Sequence, residues 1–298
     1  MISTQQLDAG RLMRWATYAS VTTAVILILV KLVAWFMTDS ISILATLIDS
    51  SLDVLASAVN LIAVRHALQP ADAEHRFGHG KAEALSGVGQ STFIAGSAGL
   101  LLLQAIGRIV HPQESMSGID VGIGVMIFSI VATLILLSFQ KHVIKKTHST
   151  AIKADALHYK TDLLVNGSVI VALLLSFYGW THFDAIFGIA IAIFILYSAW
   201  HIARESIDLL MDHELPQDER EKIIKVLRNT SDALGFHDLR TRRSGTIVFI
   251  QLHLELDSTL TLNIAHAIAD RVEQELADLF DEAEVIIHED PVVVSPVT

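Results

Sequence analysis

Two apolar runs in this 298-residue chain carry ionisable side chains at a spacing that can do chemistry. The run ILATLIDSSLDVLASAVN holds Asp49 and Asp53; a later one, ADALHYKTDLLVN, holds His158 and Asp162. Residues four apart share one helix face, so each run offers a stripe of two ligands. At 1.5 Å per helical residue, Asp53 and Asp49 lie about 17 and 22 Å from the inner end of their run, and, with the later helix starting near Thr150, His158 and Asp162 lie about 12 and 18 Å from the same face. The four groups therefore fall in one layer. An ionised Asp at a bilayer centre costs on the order of 2.5–3.5 kcal/mol even on insertion scales, and two on one face need a cation or protons to compensate them. Three carboxylates and one imidazole suit a tetrahedral ion of the Zn²⁺ kind. Hydrogen-bonding groups that merely hold helices together are the alternative, and they account for one lone Asp better than for two pairs at matched depth.

Two further groups of donors lie elsewhere. The segment QPADAEHRFGHGKAE places Asp72, His75 and His79 in one short loop, where they could hold a metal at its mouth or be simply solvated. Near the C-terminus His237, His253, His266, His288 and Asp290 could bind one or two Zn²⁺ ions, Asp290 bridging, if the fold brings them together. With no cysteine in the chain there is no thiolate site, no disulfide and no cysteine nucleophile.

The elements that must position these donors are legible from apolar length. Six stretches, near 15–37, 41–64, 84–107, 119–139, 154–177 and 183–203, are long enough to span the roughly 30 Å hydrocarbon core, which takes about 20 helical residues. The first is too long and lacks the small-residue cleavage site of a signal peptide. Lysines and arginines of the short loops fall ten on one side, from Arg11 to Arg204, against Arg108 alone on the other; this places both termini in the cytoplasm. Gly87, Gly89, Gly96 and Gly99 in the uncharged third span are expected to serve close helix packing. Lys31, two turns from the outer end of the first span, is expected to snorkel outward.

Charge divides the chain the same way. Residues 1–208 hold 13 basic and 14 acidic residues, whereas residues 209–298 hold 8 and 18, so almost all of the net −11 sits in the last 90. That balance argues against nucleic acid, whose binding rests on Lys and Arg at phosphates. The reading is a six-helix, all-α transmembrane bundle over 1–208 and a cytoplasmic α+β domain over 209–298. In the latter, Pro216–Thr230 and Thr261–Phe280 read as amphipathic helices, while Gly235–Arg243, Thr246–Asp257 and Ala283–Asp290 read as strands. The order αββαβ suggests two helices on one face of a three-stranded sheet. Alternation in Val248–Leu256 turns Gln251, His253 and Glu255 away from the helices, and His288 and Asp290 share one parity.

Taken together, the six spans, the Asp49-x3-Asp53 and His158-x3-Asp162 pairs, the PADAEHRFGHGKAE loop and the αββαβ domain resemble the cation diffusion facilitator family, YiiP-type bacterial zinc and iron efflux transporters in particular. The resemblance runs from about Ala16 to Pro291. It implies a homodimeric proton antiporter of the bacterial inner membrane that binds metal from the cytoplasm and releases it outside by alternating access. It makes Asp49, Asp53, His158 and Asp162 the transport site, and Asp72, His75 and His79 a loop site. It makes His237, His253, His266, His288 and Asp290 a cytoplasmic zinc site at the dimer interface, and Lys81 with Asp212 a charged pair that interlocks the protomers. Glu289 departs from the pattern, which has a neutral amide there.

The donor chemistry agrees with this. An imidazole with an unperturbed pKa near 6.5 lets protons compete with metal in the physiological range. Without cysteine Cu(I) is disfavoured, and Mg²⁺ or Ca²⁺ prefers all-oxygen sites. Zn²⁺ leads, with Cd²⁺, Fe²⁺, Co²⁺ and Mn²⁺ behind. The competing readings are a membrane-embedded metalloenzyme, needing three ligands, an open water position and a general base, and a metal sensor that moves nothing.

Overall fold

The structure is a computed structural model and describes residues 4–38, 41–110, 119–177 and 183–293. The connections between the first and second and between the fifth and sixth apolar stretches fall largely outside the described residues, as do the side chains of Asp49 and Arg108. Six helices come first: α1 (Thr4–Thr38), α2 (Ile41–Ala67), α3 (Lys81–Val110), α4 (Ile119–Thr147), α5 (Thr150–Phe177) and α6 (Phe183–Leu210). Four segments of them are long and apolar enough to cross a membrane: Asp8–Met37, Lys81–Gly107, Gly124–Thr147 and Gly188–Leu210. The expectation of six spans is therefore met in apolarity by four among the described residues. Helices α2 and α5, at 27 and 28 residues, also have the length, and parts of both fall outside the described side chains.

The chain divides into two compact units. One holds Ala9–Gln69 and Ala82–Ile207; the other gathers the loop Pro70–Lys81 and the chain from Asp208 onward, together with the N-terminal segment through Asp8. In the helical unit, small residues let the helices approach. Ala98, Ala154 and Ala199 pack with Ile94 and Ile195, while Met13, Ala16, Val64, Ala151 and Ile152 form a second core. Of the four glycines expected at close helix contacts, Gly87 alone has one: a Cβ there would collide with Ser206 of α6. Gly89, Gly96 and Gly99 have open space beside them.

Three fixings set α2 and α5 in place. Helix α4 ends at His148, whose φ of 52° turns the chain, and Ser149 caps α5 by accepting from Ile152 N at 3.2 Å. The carboxylate of Glu83, buried on α3, accepts from Ala151 N at 3.3 Å, a favourable place for an anion at a helix N-terminus. Deeper in the unit, Tyr159 OH of α5 meets Ser57 Oγ of α2 at 3.0 Å and donates to Ser20 O of α1 at 3.1 Å, while Ser20 and Ser57 bond each other at 3.0 Å. This buried hydroxyl triangle lies one turn from Asp53 and beside His158, so it fixes one helix in register against the other.

The second unit follows the expected order: α7 (Gln217–Asn229), β1 (Gly235–Ser244), β2 (Ile247–Asp257), α8 (Leu262–Ala277) and β3 (Ala283–Val292). The sheet runs β1-β2-β3, with β1 antiparallel and β3 parallel to β2. Val248, Ile250, Leu252, Leu254 and Leu256 of β2 are buried against Ile223 and Leu227 of α7 and Ile268, Val272 and Leu276 of α8. Each such side chain contributes about 1.5–3 kcal/mol on burial. The opposite face of the sheet is left for polar groups.

Candidate metal centres

Sequence spacing leads to three clusters, and the described residues hold three groups whose ligand atoms lie within 4.8 Å of one another. The first joins Asp53 of α2 to His158 and Asp162 of α5. His158 Nε2, when protonated, donates to Asp53 Oδ1 at 2.9 Å. Both side chains are largely enclosed, at 11% and 16% exposure. The imidazole is held edge-on by the rings of Phe93 and Tyr159, with centroids 6.1 and 5.6 Å away. One turn before His158, the carboxylate of Asp155 is buried and accepts from Gln140 Nε2 at 2.7 Å. The fourth expected ligand, Asp49, has its side chain outside the described residues.

The second group is the loop. Asp72 accepts backbone N–H bonds from Glu74 at 2.9 Å and His75 at 2.6 Å, and its two oxygens lie 3.4 Å from His75 Nδ1 and from His79 Nε2. The His75 N–H bond, aided by that of Glu74 and by the nearby imidazoles, holds this carboxyl below its usual range against the opposing effect of desolvation. The loop is attached to the sheet. Phe77 meets Phe249 edge-on at 5.9 Å, with the Arg242 guanidinium over both rings. Gly80 lies so close to the β1–β2 turn that a Cβ would stand 2.5 Å from the Ser244 carbonyl carbon. Lys81 Nζ reaches Asp212 at 3.0 Å, and Arg242 Nη1 meets the same carboxylate at 3.3 Å, so the charged pair forms within one chain.

Strand register builds the third group. His237 pairs with His253 across β1–β2, and His253 with His288 across β2–β3, giving a row of three imidazoles on the open face of the sheet. Asp290, two residues beyond His288, serves all three: Oδ2 lies 3.0 Å from His253 Nδ1 and 3.2 Å from His237 Nε2, and Oδ1 3.2 Å from His288 Nε2. The His253 hydrogen bond, aided by the charges of His253, His288 and His237, holds this carboxyl low against the opposing effect of desolvation. His266 stands apart from this row on α8, its nitrogens 3.6 Å from Asp270 and 3.7 Å from Glu289.

Sequence reasoning passed over two participants. Glu255 accepts from His237 Nδ1 at 3.0 Å; the alternation that puts His253 on the open face puts Glu255 there too, and that signal was present. The Phe77–Arg242–Phe249 contact had no sequence signal, because only the fold brings a loop and a hairpin together.

These donor sets, one enclosed between long apolar helices and two in the polar unit, suit metal handling more than catalysis. Comparison with known proteins decides the family. Residues 17–211 match the cation efflux transmembrane domain, and residues 215–292 match the cation efflux protein cytoplasmic domain. The chain belongs to the cation efflux family. This cation efflux protein is 47% identical over 287 residues to the cation-efflux pump FieF of Salmonella choleraesuis and, equally, to that of Salmonella newport, covering 96% of this chain and 95% of each pump. Solved structures similar to its last quarter include CzrB in its zinc form (35% identity, 27% of this chain and 92% of that one, TM-score 0.26). The metal-bound C-terminal domain of the CzcD transporter from Thermotoga maritima is another (28% identity, 26% and 94%, TM-score 0.25). Membership makes it a cation transporter of the bacterial inner membrane, not an enzyme. It also implies divalent metal as cargo and a homodimer.

Proposed function

We propose that this cation efflux protein exports Zn²⁺, and more weakly Cd²⁺ and Fe²⁺, in exchange for external protons by alternating access, with all six helices spanning the membrane. The meeting of Asp53, His158 and Asp162 between α2 and α5 carries the reading. Facing the cytoplasm, neutral imidazole and carboxylates take the metal; facing a more acidic exterior, protons occupy the same donors and the metal leaves. Asp49 completes a tetrahedral set. The 2.9 Å approach of His158 Nε2 to Asp53 Oδ1 supports this, since it brings the two donors close enough to share either a proton or a cation.

The three-imidazole row at Asp290 and the loop triad then serve as cytoplasmic sites for the same metal, the row favouring Zn²⁺ by its nitrogen content. In the homodimer, Lys81 and Asp212 lie at the interlock, and cations bound to the acidic domains reduce their mutual repulsion. If chelation left the distance between two labelled cytoplasmic domains unchanged, this sensing role would fail.

The transport reading is tested by Zn²⁺ flux into proteoliposomes across an imposed pH gradient. Wild type should respond to the gradient and Asp53→Ala should carry none. Flux indifferent to the gradient removes the proton half; unimpaired flux in Asp53→Ala removes the site.

A further inference from the structure

Lys31 does not behave as a lysine reaching for the membrane surface. It lies seven residues before the end of α1, about 10 Å in, while Ser50, which accepts from its ammonium at 2.6 Å, lies nine residues into α2, about 14 Å in. The ammonium also donates to Thr46 O at 3.2 Å. The side chain therefore crosses to α2 between Thr46 and the buried Ser50 hydroxyl, about level with its own Cα, instead of following the outward course expected of it. Ser50 precedes Asp53 by three residues, on the same face and one turn nearer the end where α2 begins. A lysine ammonium at this depth is costly unless carboxylates answer it, and the described cluster supplies two of them for a single imidazole.

From this we infer that Lys31 is a built-in counter-cation of the transport site, standing on its outward side. It offsets the carboxylate charge when metal is absent and repels the bound dication when metal is present, so it weakens binding and hastens release. The inference rests on the reading of Asp53, His158 and Asp162 as the transport site. A plain strap between α1 and α2 would use the same hydrogen bonds without the electrostatic consequence, and the two roles are separable.

The test is the concentration dependence of Zn²⁺ flux by the full-length protein in proteoliposomes. Lys31→Met keeps the length of the side chain and removes the charge; it should lower KM about tenfold, as expected for loss of a unit charge near a dication, and lower the maximal rate with it. Lys31→Arg should keep both near wild type. Ser50→Ala, which removes the hydrogen bond and leaves the charge, should keep KM within twofold. A KM in Lys31→Met that is unchanged or raised, in protein that remains dimeric in detergent, overturns the inference. If Lys31→Met does not assemble, Lys31→Gln is read by the same criterion. Asp53→Ala run in parallel separates the two readings: flux surviving there sinks the transport site itself, whereas an unshifted KM in Lys31→Met sinks only the counter-cation.

Discussion

The cluster between α2 and α5 and the cluster on the sheet use the same donors in opposite proportion and opposite surroundings. Between α2 and α5, two described carboxylates flank one imidazole, and His158 and Asp53 are enclosed at 11% and 16% exposure. On the sheet, one carboxylate serves three imidazoles, and His237 and His253 stand 50% and 37% exposed. Carboxylate oxygens accept many divalent ions, while imidazole nitrogen favours the later transition metals. On the proposed function, a site that must release its cargo is thus built from weaker-selecting oxygen donors, in a place where uncompensated charge is intolerable. A site that must only sense can afford nitrogen and water access. On that proposal, burial makes the first obligatory for flux, and exposure makes the second adjustable.

The contrast breaks most cleanly at Asp162. Asp162→Ala should cut Zn²⁺ flux by about 100-fold or more, in line with the loss of a required ligand, while leaving metal binding at the His237–His253–Asp290 row unchanged. Flux in proteoliposomes and binding stoichiometry by calorimetry measure the two halves. Equal damage to both would mean that the clusters are not independent.

The reciprocal change is smaller. His253→Ala removes the central imidazole of the row and should weaken cytoplasmic Zn²⁺ binding roughly 10- to 100-fold, with flux reduced only a few-fold. Calorimetry on the full-length protein reads the first effect. A loss of flux as complete as that of Asp162→Ala would show that the sheet cluster is part of the transport cycle rather than its regulator.

Selectivity sharpens the donor argument at intermediate size. His158→Asp makes the described membrane cluster all oxygen, so discrimination for Zn²⁺ over Mn²⁺ should fall by about tenfold, and the same substitution should leave the selectivity of the row untouched. Competition between the two metals in flux assays decides it; an unchanged preference would mean that geometry, not the nitrogen, selects the metal.

The two clusters also differ in how far the sequence reveals them. Asp53, His158 and Asp162 announce themselves because helical spacing is local and because a carboxylate in an apolar run is too costly to stand there unanswered. The αββαβ order was equally legible, since alternation in Val248–Leu256 is a period of two read directly from the chain. Cross-strand register was not: nothing local says that His237 faces His253, or that His253 faces His288 along a parallel pair. For the same reason His266 looked like a member of the row, although its helix places it beside Asp270 and Glu289. Lys31 misled in another way. Its position near a span end suggested snorkelling, and only the packing of α1 on α2 shows a buried hydroxyl within reach.

The smallest effect tests how the loop cluster is held to the sheet unit. Burial alone would raise the Asp212 carboxyl, but the hydrogen bond and charge of Lys81, followed by those of Arg242, outweigh it and hold it below the usual range. A folded-state pKa depressed below the unfolded value contributes stability that is present above the unfolded pKa and is lost as pH falls through the folded one. The Lys81–Asp212 pair is surface-exposed by about two-fifths on each side, at 39% and 43%, so its contribution at neutral pH is under about 1 kcal/mol. Lys81→Met should therefore increase hydrogen exchange in residues 70–81 by no more than about fivefold at pH 7, and the difference from wild type should shrink as pH falls and vanish once the carboxyl is protonated. The clamp of Phe77, Arg242 and Phe249 remains in that variant and keeps the loop attached. A difference that grew as pH fell would reverse the sign and assign the depressed carboxyl to another partner.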